Sequence, residues 1–550
     1  MLSRRASVLL AVPVALVLAG YVLWPNVRGF ALGLTPEGLA AFFGGAGLRG
    51  LAYSVGVSLA TVLGAGLVGT GLAWALYRYD FPLRRLFQGV AALPLALPPL
   101  VGVLAFLFLY GESGMLPRGL QALFGLDAPP FAFKGVPAVW LVHVYVFYVY
   151  FYLFVGAALG DLDRGLLDAS ADLGASGATT FRRIVLPLLR PALVGAALLV
   201  FMVSMASFTA PLLFAEETPF LTTQIYRQKV NGDLAAAATT SAVLTGLCLL
   251  FLALLEARPE RRRVRGAAKG AGRLAQPVGR GPARLVAGAL ASVALVVVLL
   301  PVATVLLLSF VDAARWTTQP LPTHFTLAHY AALVGDADVF VPVRNSLWMA
   351  ALATAGNLAF GVAAALIIAR GKVPGRGLLR ALAILPFAIP GTVIALNLIV
   401  AFGTPSALAG GGVLLGTVWL LPLAYFVRHV PFVVRSTQAA LEAFDDRLAE
   451  ASANLGASGW TTFRRVVLPV IGPAVAAGTL LTFVTALGEF VASILLYVYA
   501  NRPIAVEVYG QLRLYNLGAA AAYSVLLMAL VGLSVAATRA LGGRAAAEGA

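Results

Sequence analysis

Apolar runs separated by short polar segments recur along the whole 550-residue chain. A helix needs about 20 apolar residues to cross a bilayer. A backbone in lipid must satisfy its own hydrogen bonds, so such runs form helices. The pattern predicts an all-α polytopic membrane protein with about twelve transmembrane helices, near 6–24, 50–77, 88–110, 136–160, 187–215, 235–256, 285–310, 344–369, 378–402, 412–435, 470–498 and 516–539.

Composition and charge agree with a membrane protein. Only 11% of the residues are charged, which is too few to cover the surface of a soluble protein. The basic start before the first apolar run resembles a signal peptide, but we expect that run to remain as the first span. The single cysteine, Cys248, lies in an apolar run and predicts a packed side chain, because a disulfide needs two cysteines.

The basic residues predict the orientation. With the N-terminus inside, most of the 39 Lys and Arg residues fall in the inner segments, including a cluster at 428–465. We therefore expect a multi-pass protein of the bacterial cytoplasmic (inner) membrane with both termini in the cytoplasm. The net charge of +16 would suggest nucleic acid in a soluble domain, but these charges belong to membrane loops and no nucleic acid is expected. Membrane lipid is the expected contact of the basic run at 257–284, for which a plain solvated linker is the stronger interpretation.

The spans divide into two halves. Residues 257–284 are rich in Arg, Gly and Ala and lack an apolar period, which predicts a basic cytoplasmic linker. It would join a first transmembrane domain, 1–256, to a second, 285–550. Ser54 and Ser346 share a spacing of 292 with other matched pairs along the early spans. Six spans in each half predict two parallel six-helix repeats with a pathway between them.

One polar segment is repeated most closely. DASADLGASGATTFRRIVLPLLRP at 168–191 returns as EASANLGASGWTTFRRVVLPVIGP at 450–473, identical at 17 of 24 positions. Apolar positions spaced by three and four residues predict a short amphipathic helix in each copy. Gly174 and Gly456 follow it, where a helix end favours a residue that tolerates positive φ. Packing on its own bundle would explain the apolar face, whereas a shared external partner also explains the retained polar surface.

The segment resembles the EAA loop of binding-protein-dependent ABC importer permeases, with Asp168 in the first copy where Glu is usual. The residues that carry the resemblance are Asp168, Ala169, Gly174, Ala175, Phe181, Pro187 and Pro191, then Glu450, Ala451, Gly456, Ala457, Phe463, Pro469 and Pro473. The resemblance covers nearly the whole chain as two fused permease domains. It implies that each loop is a coupling helix docked on one of two ATPase subunits. It also implies an external substrate-binding protein, periplasmic or lipid-anchored.

The chain has no G-x-x-x-x-G-K-[ST] sequence, so ATP and magnesium are expected on partner subunits and no cofactor on this chain. It also lacks H-E-x-x-H and Cys/His clusters, so no catalytic residue and no metal ligand is predicted. We therefore do not interpret the chain as an enzyme.

The span after each repeated segment is the predicted pathway lining, through Ser204, Ser207, Thr485 and Glu489. A carboxylate in mid-span is costly in lipid, which makes Glu489 a candidate contact for a cation or a gate. Alternatively, it pairs with a polar group on a neighbouring span or lies near the outer water. His143, in an aromatic-rich stretch, is interpreted as bundle packing or an interfacial belt.

Within the family, one chain with both halves most resembles ferric-iron permeases, through the stretches MASFTAPLLF and ALGEFVAS. Thiamine, phosphonate and polyamine permeases are the alternatives. An ion-coupled secondary transporter would also have parallel repeats, but it would predict several ionisable groups within the membrane. A scaffold that binds a partner without transporting anything is the third hypothesis.

Overall fold

The computed structural model describes residues 4–162, 164–256, 282–312 and 321–548. The predicted linker therefore lies almost wholly outside the described residues. The described part of the first half is helical, with α1 Arg4–Val17, a π-helical turn Leu18–Leu23, α2 Trp24–Gly33, α3 Pro36–Gly44, α4 Ala46–Arg78, α5 Arg84–Ala91, α6 Leu93–Ala96, α7 Pro99–Tyr110, α8 Met115–Phe124, α9 Gly135–Gly160, α10 Arg164–Asp172, α11 Gly177–Thr180, α12 Leu186–Met205, α13 Thr209–Phe214, α14 Leu221–Val230 and α15 Leu234–Glu256.

The second half repeats this order. Its helices are α16 Pro282–Leu308, α17 Ala328–Gly335, α18 Ala337–Arg370, α19 Arg376–Ala388, α20 Gly391–Phe402, α21 Leu420–Ala443, α22 Asp446–Asn454, α23 Gly459–Thr462, α24 Leu468–Leu487, α25 Ser493–Leu496, α26 Ile504–Arg513 and α27 Leu517–Glu548. A π-helical turn precedes α12 and another precedes α24, at Phe181–Val185 and Phe463–Val467.

Ten helices among the described residues are long and apolar enough to cross a membrane, and the pair α19–α20, bent by 113°, makes up to eleven. The predicted span 412–435 is outside this count. It corresponds to α21, which carries Arg428, His429 and Arg435 and is less apolar for that reason. Since α21 packs along α18 as α9 packs along α4, it nevertheless holds the place of the fourth span in its half.

Two predicted spans end early. Residues 187–215 and 470–498 were predicted as continuous helices, but α12 ends at Met205 and α24 ends at Leu487. A short non-helical break follows in each half before α13 and α25 begin. Hydropathy alone does not show such a break, because the residues on both sides of it remain largely apolar.

The two halves interlock through their first helices. The α1–α2 segment packs against α18 and α20, and α16 packs against α4, α5 and α7. Buried Asn26 and Asn397 join the halves, with the Asn397 amide donating to the Asn26 oxygen at 2.8 Å. Tyr21 donates to the Leu408 carbonyl at 2.9 Å. Buried amides need such partners, so these bonds fix where the halves meet.

The matched serines of the repeat, Ser54 and Ser346, each accept a hydrogen bond from the first N–H group of a helix in their half. Ser54 of α4 accepts a hydrogen bond from the Leu221 backbone N–H at 3.0 Å, at the start of α14. Ser346 of α18 accepts one from Ile504 at 2.8 Å, at the start of α26. The first N–H groups of a helix have no partner within it, and a distant side chain supplies one here. The internal repeat is therefore structural as well as sequential.

Candidate functional site

Each repeated segment folds as a helix, a tight bend and a second short helix. The first helices are α10 and α22, and the second are α11 and α23. Gly174 has φ of 74° and Gly456 has φ of 82°, in the left-handed region that glycine tolerates best. The predicted bend at both glycines is confirmed.

A second device holds each bend, and the sequence analysis missed it. Ser170 and Thr180 hydroxyls lie 2.8 Å apart, and Ser452 and Thr462 hydroxyls lie 3.0 Å apart. Each pair joins the two short helices across ten residues of chain. Both residues are identical in the two copies, and that identity was the available signal.

The apolar face of these loops is exposed. Leu173 is 88% exposed and Leu455 is 89% exposed, and Leu166 and Leu448 are also exposed. A loop that only packed on its own bundle would bury these leucines, so the surface is open to another molecule. The candidate coupling residues are arranged alike, with Asp168, Ala169, Gly174, Glu450, Ala451 and Gly456 exposed and Ala175 and Ala457 half-buried.

The two loops differ at one large side chain. Trp460 is the second residue of α23 and is 69% exposed, whereas Ala178 holds the matching place in the first copy. The Trp460 ring stacks on Phe463 with centroids 5.8 Å apart. The second loop therefore presents more apolar surface than the first.

The second candidate region is the pair of breaks after α12 and α24. Glu489 lies in the second break and not in mid-helix, which corrects the sequence prediction. It is 6% exposed. One carboxylate oxygen accepts from the Ala492 N–H at 2.9 Å, and the Glu489 carbonyl accepts from the Ser493 hydroxyl. Glu489 therefore organises the break itself.

The other carboxylate oxygen of Glu489 lies 2.8 Å from Nε of Arg428 on α21, and His429 is 3.9 Å away. This pairing with a neighbouring helix is the alternative that the sequence left open. Arg428 was counted among the inner loop charges, and that interpretation was wrong because the residue lies within α21. Charge counting missed it because the partner is distant in sequence.

The first break is held by neutral groups. The two ring nitrogens of buried His143 lie 3.1 Å from the Ser204 hydroxyl and 2.8 Å from that of Ser207. Ser58 donates to Ser204 at 3.0 Å. His143 is thus part of the bundle packing, as predicted. Thr485 joins neither cluster, because its hydroxyl donates to the Leu481 carbonyl of its own helix at 2.6 Å.

Two aromatic residues within the breaks, one from each half, contact each other. Phe208 and Phe490 have ring centroids 6.1 Å apart. Phe208 also contacts Tyr226 of α14, and Phe490 contacts Tyr509 of α26. These four rings form a continuous aromatic row, which we call the seam. Within this row, the contact between Phe208 and Phe490 joins the two halves.

Comparison with known proteins connects these regions to a family. Binding-protein-dependent transport system inner membrane component matches residues 66–263 and 357–546. "Probable ABC transporter permease protein y4fN" of Sinorhizobium fredii is 33% identical over 460 residues, with 83% of this chain and 80% of that protein covered. Ferric transport system permease protein FbpB of Actinobacillus pleuropneumoniae is 27% identical over 479 residues, covering 85% of this chain and 68% of that protein.

A third relative matches a smaller part. Sulfate transport system permease protein CysT of Escherichia coli is 37% identical over 172 residues, which cover 30% of this chain and 62% of that protein. Permeases of this family work with an ATPase and a substrate-binding protein and are not enzymes themselves. The chain therefore belongs to the family of binding-protein-dependent permeases of the inner membrane and carries two of its domains in one polypeptide.

Proposed function

We propose that this permease carries ferric iron from an external binding protein to the cytoplasm, driven by two copies of an ATPase subunit. Each repeated loop docks on one ATPase, and ATP hydrolysis moves the halves apart at the seam. Asp168, Ala169, Gly174 and Ala175 belong to the first docking surface, and Glu450, Ala451, Gly456 and Ala457 to the second. Both termini and both loops face the cytoplasm in this proposal.

The observation that carries the proposal is the pair of exposed loops with one geometry. Both bends have positive φ, both have a Ser–Thr bond across them, and both expose a leucine almost completely. A surface kept in two copies matches a partner that is itself present in two copies. An ion-coupled secondary transporter gives no role to such a pair of surfaces.

Iron as cargo is supported by relatives that match both halves. Ferric transport permeases of two bacteria are 26% to 27% identical to 85% or more of this chain. Sulfate is the second candidate, because sulfate permeases reach 37% identity, although over 172 residues only. Thiamine, phosphonate and polyamine are the further alternatives for the cargo.

The described residues hold no group of three His, Cys, Asp or Glu side chains that could bind a metal ion. Within the pathway, Ser204 and Ser207 are bonded to His143, and Glu489 is bonded to Arg428. We therefore assign the choice of cargo to the external binding protein and passage to this chain. The boundaries of the two domains, 1–256 and 285–550, and the basic linker at 257–284 belong to the same proposal.

The test begins with the binding protein encoded beside this chain. It is titrated with ferric ion, sulfate and thiamine, and absorbance and heat are recorded. The full complex is then placed in proteoliposomes, and uptake of radioactive iron is measured with ATP, without ATP and with an ionophore. Tight ferric binding with ATP-dependent uptake is expected. Uptake that follows an ion gradient would overturn the ATP-driven mechanism, and tight sulfate binding would overturn the cargo.

A further inference from the structure

We propose that Arg428 is a positioning residue for the seam. Its ion pair with Glu489 holds the break after α24, and the break places Phe490 against Phe208 of the other half. The inference rests on the proposed pathway between the halves. It adds a residue that acts through Glu489 and does not itself need to touch the cargo.

Glu489 bonds both to the residues that follow it in the break and to a neighbouring helix. Its carboxylate and its carbonyl bind Ala492 and Ser493 at the start of α25, so the acid holds its own chain. Its remaining carboxylate oxygen reaches Arg428 on α21 at 2.8 Å. Glu489 is 6% exposed, so removing the arginine leaves a buried carboxylate without its compensating charge. The break is thereby attached to α21.

Arg428 is itself held from the opposite side. A Cβ placed on Gly391, at the start of α20, would lie 1.5 Å from Nη1 of Arg428. The guanidinium therefore packs directly on the backbone of α20, and a Cβ at residue 391 would require the guanidinium to move. Arg428 is 27% exposed, so it lies between the bundle and a more open space. A methyl group at residue 391 would displace the guanidinium without changing any charge.

The break also touches the first half directly. A Cβ on Gly488, the residue before Glu489, would lie 3.2 Å from Cβ of Pro98. Phe490, the residue after it, contacts Phe208 at 6.1 Å between centroids. Glu489 is thus flanked by two contacts across the interface. A shift of its carboxylate moves both of them, because the three residues are consecutive.

The first half reaches the same arrangement without charges. Ser207 precedes Phe208 as Glu489 precedes Phe490, and it is held by His143 of α9 at 2.8 Å. The carbonyl of Ser207 also accepts from the Thr222 hydroxyl at 2.7 Å. Both breaks are tethered to the same helix of their half, α9 or α21. Only the second tether depends on opposite charges.

The test measures how the second break lies against the first half, in the full chain in membranes. Cys248→Ser removes the native thiol, and Pro98→Cys with Gly488→Cys introduces a pair across the interface, because a Cβ on Gly488 would lie 3.2 Å from Cβ of Pro98. A protease site is placed within 257–281. After oxidation and cleavage, a disulfide keeps the halves together on a gel. We expect efficient linkage in this parent and a roughly fivefold or greater loss with Arg428→Gln, since a lost buried ion pair frees the break. Arg428→Lys is expected to restore part of the linkage.

Two further variants distinguish a displaced Arg428 side chain from a chain that has failed to fold. Gly391→Ala keeps every charge and is expected to lower linkage as Arg428→Gln does. The exchanged pair Arg428→Glu with Glu489→Arg is expected to recover only part of it, because an arginine at residue 489 cannot accept from the Ala492 N–H. Arg380→Gln is the control, because it removes an exposed ion pair of 3.5 Å between Arg380 on α19 and Glu442 on α21, the helix that also carries Arg428.

The result is independent of the proposed function, since neither ATPase nor cargo is present. No linkage in the parent would overturn the contact between Gly488 and Pro98, and with it the place of the break against the first half. Linkage unchanged by both Arg428→Gln and Gly391→Ala would overturn the role of Arg428. A wrong choice of cargo would leave all of these measurements as they are.

Discussion

The repeated loops and the two breaks are both related by the internal repeat, yet they have diverged to very different extents. The loops keep their bend, their Ser–Thr bond and their exposed leucine in both copies. The breaks keep their place and their aromatic residue, but one is tethered by His143 and the other by Arg428. If both loops dock on identical ATPase subunits, as proposed, each loop must fit the same partner surface and the two sequences stay alike. The two breaks contact each other, so they need only be complementary and can differ in sequence.

The largest effect is expected from the bends. Gly174→Val and Gly456→Val place a β-branched residue at positive φ, which costs about 1–2 kcal/mol or more and turns the second helix away. Uptake by the full complex should be nearly abolished while ATP hydrolysis continues. The two activities are measured together in proteoliposomes.

Gly177→Val is the matched control for the bend variants, because Gly177 lies in the same loop without positive φ and with open space at its Cβ. If both bend variants import normally, the loops do not couple the ATPase to transport. If only one of them does, the two loops are unequal in coupling.

The next effect concerns the charged tether. Glu489→Gln leaves Arg428 without its carboxylate, and the cost is smaller than the about 3–5 kcal/mol of a fully buried pair because Arg428 is 27% exposed. We expect uptake to fall roughly tenfold or more while the ATPase still copurifies with the chain, since the loops are untouched. Ser207→Ala removes one neutral hydrogen bond in the first half and should cost about 1 kcal/mol. Equal losses of uptake for Glu489→Gln and Ser207→Ala would contradict the view that only the second break depends on an ion pair.

An intermediate effect is expected where the loops themselves differ. Trp460→Ala removes an exposed ring that would be buried under a docked ATPase, and such residues often contribute about 2 kcal/mol. Binding of the ATPase should weaken by a factor of about 30. Ala178→Trp adds the same ring to the first loop and should tighten binding there.

Both loop variants can be compared by titrating the ATPase onto the chain in nanodiscs. A ring that anchors in lipid and not in the ATPase would leave the affinity unchanged in both. That outcome would assign Trp460 to the membrane surface.

The smallest effect is expected from the Ser–Thr bonds. Ser170→Ala and Ser452→Ala each remove one hydrogen bond, worth about 1 kcal/mol, and leave the glycine bend in place. Uptake should fall by less than about fivefold in either variant. Ser176→Ala, which removes only the hydroxyl that accepts from the Thr179 N–H, is the comparison within the same loop. A complete loss of uptake would mean that the bond, and not the glycine, sets the bend.

The sequence by itself determined the features that depend on neighbours along the chain. Apolar length predicted the helices, the 17-of-24 identity predicted the repeat, and the position of Gly174 and Gly456 after an apolar face predicted the left-handed bends. These features follow from hydrogen bonding in lipid and from the conformational freedom of glycine, which act over a few residues.

Only the tertiary structure decided the rest. It placed Glu489 in a break, paired it with Arg428 sixty-one positions earlier, and left Leu173 and Leu455 exposed. It also packed the first helix of each half against helices of the other half. At the start of α26, the Ser346 hydroxyl accepts from the Ile504 N–H. No local pattern contains these outcomes, because which buried charge finds which partner is settled by packing between distant segments. Periodicity tells which residues form a helix, and packing decides what each helix touches.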